Sequence, residues 1–206
     1  MTDRQTLKIA AAQYPIGEPK SLSEWEDKIA LWVKTGAATG AQLLVFPEYA
    51  AIEQAAAFGP DVYGDLKATL TKVAELAASR VALHLDLAKK HNVHILAGSG
   101  PVLKSDGRFV NAAQLVTPSG QIGEQEKLVM TPFERDWGIS AGGPVRVFKT
   151  AIATFGVAIC YDSEFPLLVH AMADAGAHAV LVPSCTERIS GYNRVRTGSM
   201  ARALEN

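Results

Sequence analysis

A mixed-sheet α/β fold is what this sequence predicts, and three observations predict it. Over the first hundred residues, short apolar runs alternate with amphipathic stretches in the order βαβαβ. The middle then turns to two pairs of strands with hairpin signals, and the last third returns to helix, strand, helix. The chain has 206 residues, 48% of them hydrophobic, with a mean hydropathy of +0.09, which suits one soluble domain with a substantial core. No internal repeat, low-complexity tract or linker divides it, so residues 1–206 are expected to form a single domain.

The elements follow in order. Residues 7–13 read as a strand, and a loop with proline and glycine follows over 15–20. Ser23 with Glu26 fits a capping box, and Trp25, Ile29, Trp32 and Val33 recur at helical spacing until glycines at 36 and 40 end the helix. Residues 43–46 form a short buried strand stopped by Pro47. A long helical stretch rich in Ala, Leu and Lys runs over 64–90. Residues 93–97 return as a strand, closed by Gly98, Ser99, Gly100 and Pro101. Asp106-Gly107 signals a hairpin, and residues 109–116 and 121–127 pair across Pro118, Ser119 and Gly120. Strands over 145–148 and 151–159 come next, then a helix over 166–175, a strand over 179–182 and a helix over 192–204.

Charge excludes several function classes. The net charge is −1, the pI is about 6.5, and no lysine/arginine cluster appears, so neither nucleic acid nor an anionic membrane is an expected partner. Residues 1–13 are too short and too polar for a signal peptide, and no run is long enough to span a bilayer. The two cysteines, Cys160 and Cys185, form no CxxC, which fits a reduced cytoplasmic protein. The five histidines are scattered without metal-ligand spacing, so neither a metal nor another cofactor is expected.

Three apolar strands end in reactive side chains. Residues 43–47 present Glu48, residues 124–126 present Lys127, and residues 155–159 present Cys160. Sites in open α/β sheets form beyond the carboxyl ends of strands, so a carboxylate, an ammonium and a thiol can share one cleft there. A thiol of ordinary pKa, about 8.5, is mostly protonated near neutrality and needs a base. Glu48, desolvated beside Pro47 and Tyr49, can take its proton. Lys127 and the Tyr161 N–H, at the start of a turn into a helix, can hold the oxyanion that forms when the thiolate attacks a carbonyl. Asp162 can orient this turn by accepting backbone hydrogen bonds. Tyr49, Phe133, Trp137 and Tyr161 flank the cleft and either shape a pocket or belong to the core; Cys185 reads as pocket wall. Taken singly, each residue has an ordinary alternative: a core cysteine, a solvated glutamate, or a lysine protecting a strand edge.

Phe46-Pro47-Glu48, Lys127 and Cys160-Tyr161-Asp162, in this order, resemble the three signatures of the nitrilase superfamily, the carbon–nitrogen hydrolases. The resemblance runs from Leu7 to Asn206 and implies a four-layer αββα sandwich with two facing mixed sheets. It implies Glu48 as general base, Lys127 as oxyanion stabiliser and Cys160 as thioester-forming nucleophile. It adds Glu134 as a second glutamate that positions Lys127 and substrate, with Asp136 as a nearby competitor. The Cys-Tyr-Asp context is similar to the amidase-like branches, which makes a small amide or carbamoyl compound the expected substrate and a homodimer the expected full-length form. Nitrile hydrolysis, acyl transfer to another nucleophile and a catalytically silent binding module are the rival readings. Family members usually continue past Asn206, so the chain is expected to be truncated at the C-terminus, with one sheet edge left open.

Overall fold

The structure is a computed structural model that describes residues 6–206. Part of the residue 1–13 stretch read above as no signal peptide therefore lies outside the described residues. The elements are β1 (Ile9–Ala11), α1 (Leu22–Ala38), β2 (Leu43–Val45), a 3-10 helix (Ala50–Phe58), α2 (Pro60–Tyr63), α3 (Leu66–Glu75), α4 (Ala77–His91), β3 (His94–Leu103), β4 (Phe109–Val116) and β5 (Ile122–Glu126). They continue with α5 (Pro132–Asp136), β6 (Ile139–Ser140), β7 (Val147–Lys149), β8 (Thr154–Val157), a second 3-10 helix (Cys160–Glu164), α6 (Pro166–Asp174), β9 (Ala179–Leu181) and α7 (Ile189–Glu205).

Two mixed sheets result. In the first, β1, β2 and β3 are parallel, β4 and β5 add antiparallel, and β6 runs parallel to β4. In the second, β7 pairs antiparallel with β8, and β9 pairs parallel with β8. The strand pleat sorts the side chains between layers. Leu44, Phe46 and Ile95 face outward onto Trp25, Ile29 and Val33 of α1 and Leu87 and Ala88 of α4. Their neighbours Leu43 and Leu96 face inward and meet Phe155, Val157 and Leu181 of the second sheet. On that sheet's far side, Ala158 packs against Val169 and Met172 of α6. Helix, sheet, sheet and helix therefore stack as the four layers expected. No helix among the described residues is long and apolar enough to cross a membrane.

Three local expectations are corrected. Helix α1 is capped by Ser21, whose side chain accepts from the Glu24 N–H at 3.2 Å, while Glu24 reaches back to the Lys20 N–H at 2.8 Å. Ser-x-x-Glu occurs twice in this stretch, and the copy at 21 and 24 makes the cap instead of Ser23 and Glu26. The helix expected over 64–90 is two helices, broken at Leu76. Val73 of α3 packs with Ala51 and Ala55, whereas Leu87 and Ala88 of α4 pack with α1, and one straight axis does not serve both contacts. Strand β3 does not stop at Gly98 but continues to Leu103 through an irregularity between Leu96 and Ser99. Gly98 takes φ +75, and a Cβ there would lie 2.2 Å from the Pro47 carbonyl oxygen, so glycine serves close approach inside the strand rather than its end.

Candidate active site

The approach of β3 shapes the turn that carries Glu48. Pro47 interrupts β2, its carbonyl accepts from the Ser99 N–H at 3.3 Å, and the Ser99 hydroxyl accepts from the Tyr49 N–H at 3.1 Å. Tyr49 itself takes the left-handed region, φ 56, which turns the chain sharply just after Glu48. The Glu48 carboxylate is thereby sunk in the protein, 3% exposed.

Lys127 sits one residue past β5, its N–H still laddered to the Asn111 carbonyl at 2.8 Å. Its Nζ lies 2.7 Å from Glu48 Oε1 and 2.7 Å from Glu134 Oε2, so one buried ammonium is held between two buried carboxylates. Glu134 is fixed from its own helix. In the capping box of α5, the Thr131 N–H and hydroxyl both donate to Glu134 Oε2, at 2.9 and 2.8 Å. Tyr49 Oη donates to Glu134 Oε1 at 2.8 Å. Asp136, the sequence competitor, is exposed.

Cys160 ends the β8 side of the second sheet. Its N–H donates to the Pro183 carbonyl at 2.9 Å, and its φ of 48 puts it, like Tyr49, in the left-handed region that side chains rarely adopt. Asp162 pins this elbow, accepting from the Val129 N–H at 2.8 Å, the Leu128 N–H at 3.1 Å and the Ile159 N–H at 3.2 Å. One carboxylate thus ties the cysteine turn to the segment just after Lys127. The Cys160 thiol lies 4.0 Å from the Cys185 carbonyl oxygen, and the Cys185 N–H donates to Glu48 Oε2 at 3.2 Å.

Electrostatics follow from burial and from these contacts. Burial pushes the Glu48 carboxyl above its usual range, and Lys127 offsets only part of that. Burial also acts to raise Glu134, but Lys127 and Thr131 outweigh it and leave Glu134 below the usual range. Burial would lower Lys127, yet the two carboxylates hold it above the ordinary lysine value, so it stays charged. The Cys160 thiol is pushed up to about 12, first by burial and then by the Glu48 charge, with Lys127 pulling the other way. The resting thiol is therefore protonated at neutral pH and has a carboxylate beside it. Burial, working against its backbone donors, raises Asp162 to about 6.

Of the residues singled out in the sequence, Glu48, Tyr49, Lys127, Phe133, Glu134, Trp137, Cys160 and Tyr161 line one cavity of about 580 Å³, while Asp162 lies behind the cysteine turn and Asp136 is not part of the lining. That volume is ordinary for a small-molecule pocket. Cys185 lines it too, and so do Arg188 and Arg194, the latter paired with Glu164 at 2.8 Å. Two residues escaped the sequence reading. Thr131 was visible as the start of a Thr-x-x-Glu capping box. Asn111, whose Nδ2 lies 3.2 Å from Glu48 Oε1 and 3.3 Å from Glu134 Oε1, was visible as an amide inside an otherwise apolar part of a strand.

A family model described as carbon-nitrogen hydrolase matches residues 8–206. The chain is similar to a probable hydrolase, YhcX, of Bacillus subtilis (strain 168), 38% identical over 201 residues that make up 97% of this chain and 38% of that protein. It is also similar to an (R)-stereoselective amidase of a Pseudomonas species, 35% identical over 144 residues, 68% of this chain and 50% of the amidase. The chain thus spans half or less of the length of these two curated relatives. Among solved structures, a carbon–nitrogen hydrolase from Helicobacter pylori G27 superposes with a TM-score of 0.78 at 19% identity, covering 97% of this chain and 70% of the other, which is a likeness of fold.

Proposed function

The chain belongs to the carbon–nitrogen hydrolase family, and from that premise we propose that it hydrolyses a non-peptide C–N bond in a small amide or carbamoyl compound through a thioester on Cys160. The observation that carries this reading is the buried Lys127, held at 2.7 Å from each of two carboxylates in the pocket that Cys160 lines.

The proposed course begins with the thiol protonated, as its raised pKa requires. Glu48 takes the thiol proton as the sulfur attacks the carbonyl carbon, so free thiolate never accumulates. The carbonyl electron pair moves to oxygen, where the Lys127 ammonium and the Tyr161 N–H meet the developing charge. The tetrahedral species collapses, the C–N bond breaks, and Glu48 returns the proton to the departing ammonia or amine. Glu48 then takes a proton from water, whose oxygen attacks the thioester. Collapse releases the carboxylic acid (from a carbamoyl compound, a carbamic or carbonic acid) and gives the proton back to the sulfur. Amide and water become acid and amine, and the protein ends as it began. Glu134 acts through Lys127, keeping the ammonium charged and in place. The 35% identity to an (R)-stereoselective amidase is in keeping with an amide substrate, while nitrilases of Arabidopsis thaliana match at 27–29% identity, so the choice between amide and nitrile rests on the test below.

The test is ammonia release and acid formation from a panel of amides, carbamoyl compounds and nitriles. Added hydroxylamine traps an acyl-thioester as a hydroxamate. Cys160→Ala is expected to keep the fold and lose about 10,000-fold or more of the turnover. Turnover that survives in that variant, or a panel in which only nitriles react, would overturn the reading.

A further inference from the structure

Asn111 lies in the middle of β4, wholly buried, in a strand whose other job is apolar packing. Its backbone carbonyl accepts the Lys127 N–H, and its side-chain amide sits against Glu48 and Glu134 together. Its own Oδ1 has no partner among the described residues. A side chain held in this orientation, with both contacts on its donor end and its acceptor left over, acts through its donors. We infer that Asn111 is the positioning residue that keeps the two carboxylates ionised and apart on either side of Lys127.

The reason is the charge count in a dry site. Glu48 and Glu134 bring two negative charges, and Lys127 brings one positive charge. Two like charges sharing a buried site favour uptake of a proton by one of them. A second cation would neutralise the pair but would compete with Lys127 for the oxyanion. A neutral amide avoids both outcomes, since it offers two N–H groups and can neither lose nor gain a proton near neutrality. The two carboxylates do not depend on it equally. Glu134 has further donors in the Tyr49 hydroxyl and the Thr131 N–H and hydroxyl. Among the described residues, Glu48 has only Lys127, Asn111 and the Cys185 N–H, with the Cys160 thiol beside it. The other ionisable groups close to Lys127 are Asp162, which is engaged with backbone N–H groups, and the thiols of Cys160 and Cys185. Glu48, the proposed proton carrier, is therefore the group most exposed to the loss of Asn111.

The kinetic side of this inference rests on the hydrolase reading above; the electrostatic side does not, and the experiment separates them. The carboxyl carbons of Glu48 and Glu134 are followed by 13C NMR against pH, assigned by Glu48→Gln and Glu134→Gln. In Asn111→Ala the Glu48 midpoint is expected to rise by about one pH unit and that of Glu134 by less. Asn111→Ser, which retains one donor and a small size, is expected to fall between, and it decides the matter if the alanine variant does not fold. The acid limb of kcat/KM should move with the Glu48 midpoint, with kcat down about tenfold or more and KM within a few-fold. Midpoints that stay put in a cooperatively folded variant overturn the inference, even if activity falls. Midpoints that move in a protein that hydrolyses nothing leave Asn111 its role and remove the hydrolase reading instead.

Discussion

The layer between the sheets and the cluster at its upper end are equally hidden from water and are built on opposite terms. Leu96 and Phe155 in the layer are fully buried, and so, to within a few per cent, are Lys127, Glu48 and Glu134 in the cluster. The same strands feed both: the chain runs on from Leu43 of β2 to Glu48, and from Phe155 of β8 to Cys160. In the layer, any side chain of suitable volume and polarity gains from leaving water, and the interaction has no direction. In the cluster, each charge loses its hydration and recovers that loss only through a particular partner at a particular distance. Burial by itself therefore says little about what a position tolerates.

The largest effect is expected at the cluster's centre. Lys127→Met should lower stability by about 3–5 kcal/mol, because two buried carboxylates are left facing each other. It should also lower kcat by about 100- to 1,000-fold through loss of an oxyanion donor. Denaturant unfolding and steady-state kinetics read the two losses separately. A well-folded Lys127→Met variant with normal kcat would erase the contrast.

Leu96→Ala tests the other side. It should cost about 2–5 kcal/mol by leaving a cavity between the sheets, while activity per folded molecule changes by no more than a few-fold. A large loss of kcat in the folded variant would show that the layer, too, is specified contact by contact.

Glu48→Gln sharpens the electrostatic half. Burial and the Glu48 charge both disfavour the thiolate and push the Cys160 thiol up to about 12, against Lys127. Removing the Glu48 charge takes away one raising cause and leaves the lowering one, so the midpoint of the Cys160 thiolate's ultraviolet absorbance against pH should fall below that of the wild type. A midpoint that does not fall would mean that the Glu48 charge does not bear on the ionisation of the sulfur.

The smallest effect is expected far from both regions, at the start of α1. Ser21→Ala should cost about 1 kcal/mol in thermal or denaturant unfolding, and Ser23→Ala should stay within about 0.5 kcal/mol. Equal losses would restore Ser23 as the cap.

These contrasts also explain what was readable beforehand. The apolar layer was legible because its pattern is local: alternating side chains along 43–46 and 93–97 announce which face is buried. The cap of α1 was misplaced by two residues because Ser21-x-x-Glu24 and Ser23-x-x-Glu26 have the same local chemistry, and only the point where the chain enters the helix separates them. The break at Leu76 was invisible because Ala- and Leu-rich sequence favours helix on both sides, while the demand for two different packing partners comes from elsewhere in the fold. Glu134 was placed by resemblance, and its capping box with Thr131 was there to be read.

The sequence by itself determined the order and kind of the elements and the identity of the side chains at three strand ends, since both follow from patterns within a dozen residues. Only the tertiary structure decided that Glu48, 79 residues from Lys127, and Glu134, seven residues from it, grip the same ammonium, and that one amide from β4 reaches both. Hydrophobic burial depends on which face a residue occupies, which the local pattern encodes. A buried charge depends on which single atom lies opposite it, and that is known only when the strands have been brought together.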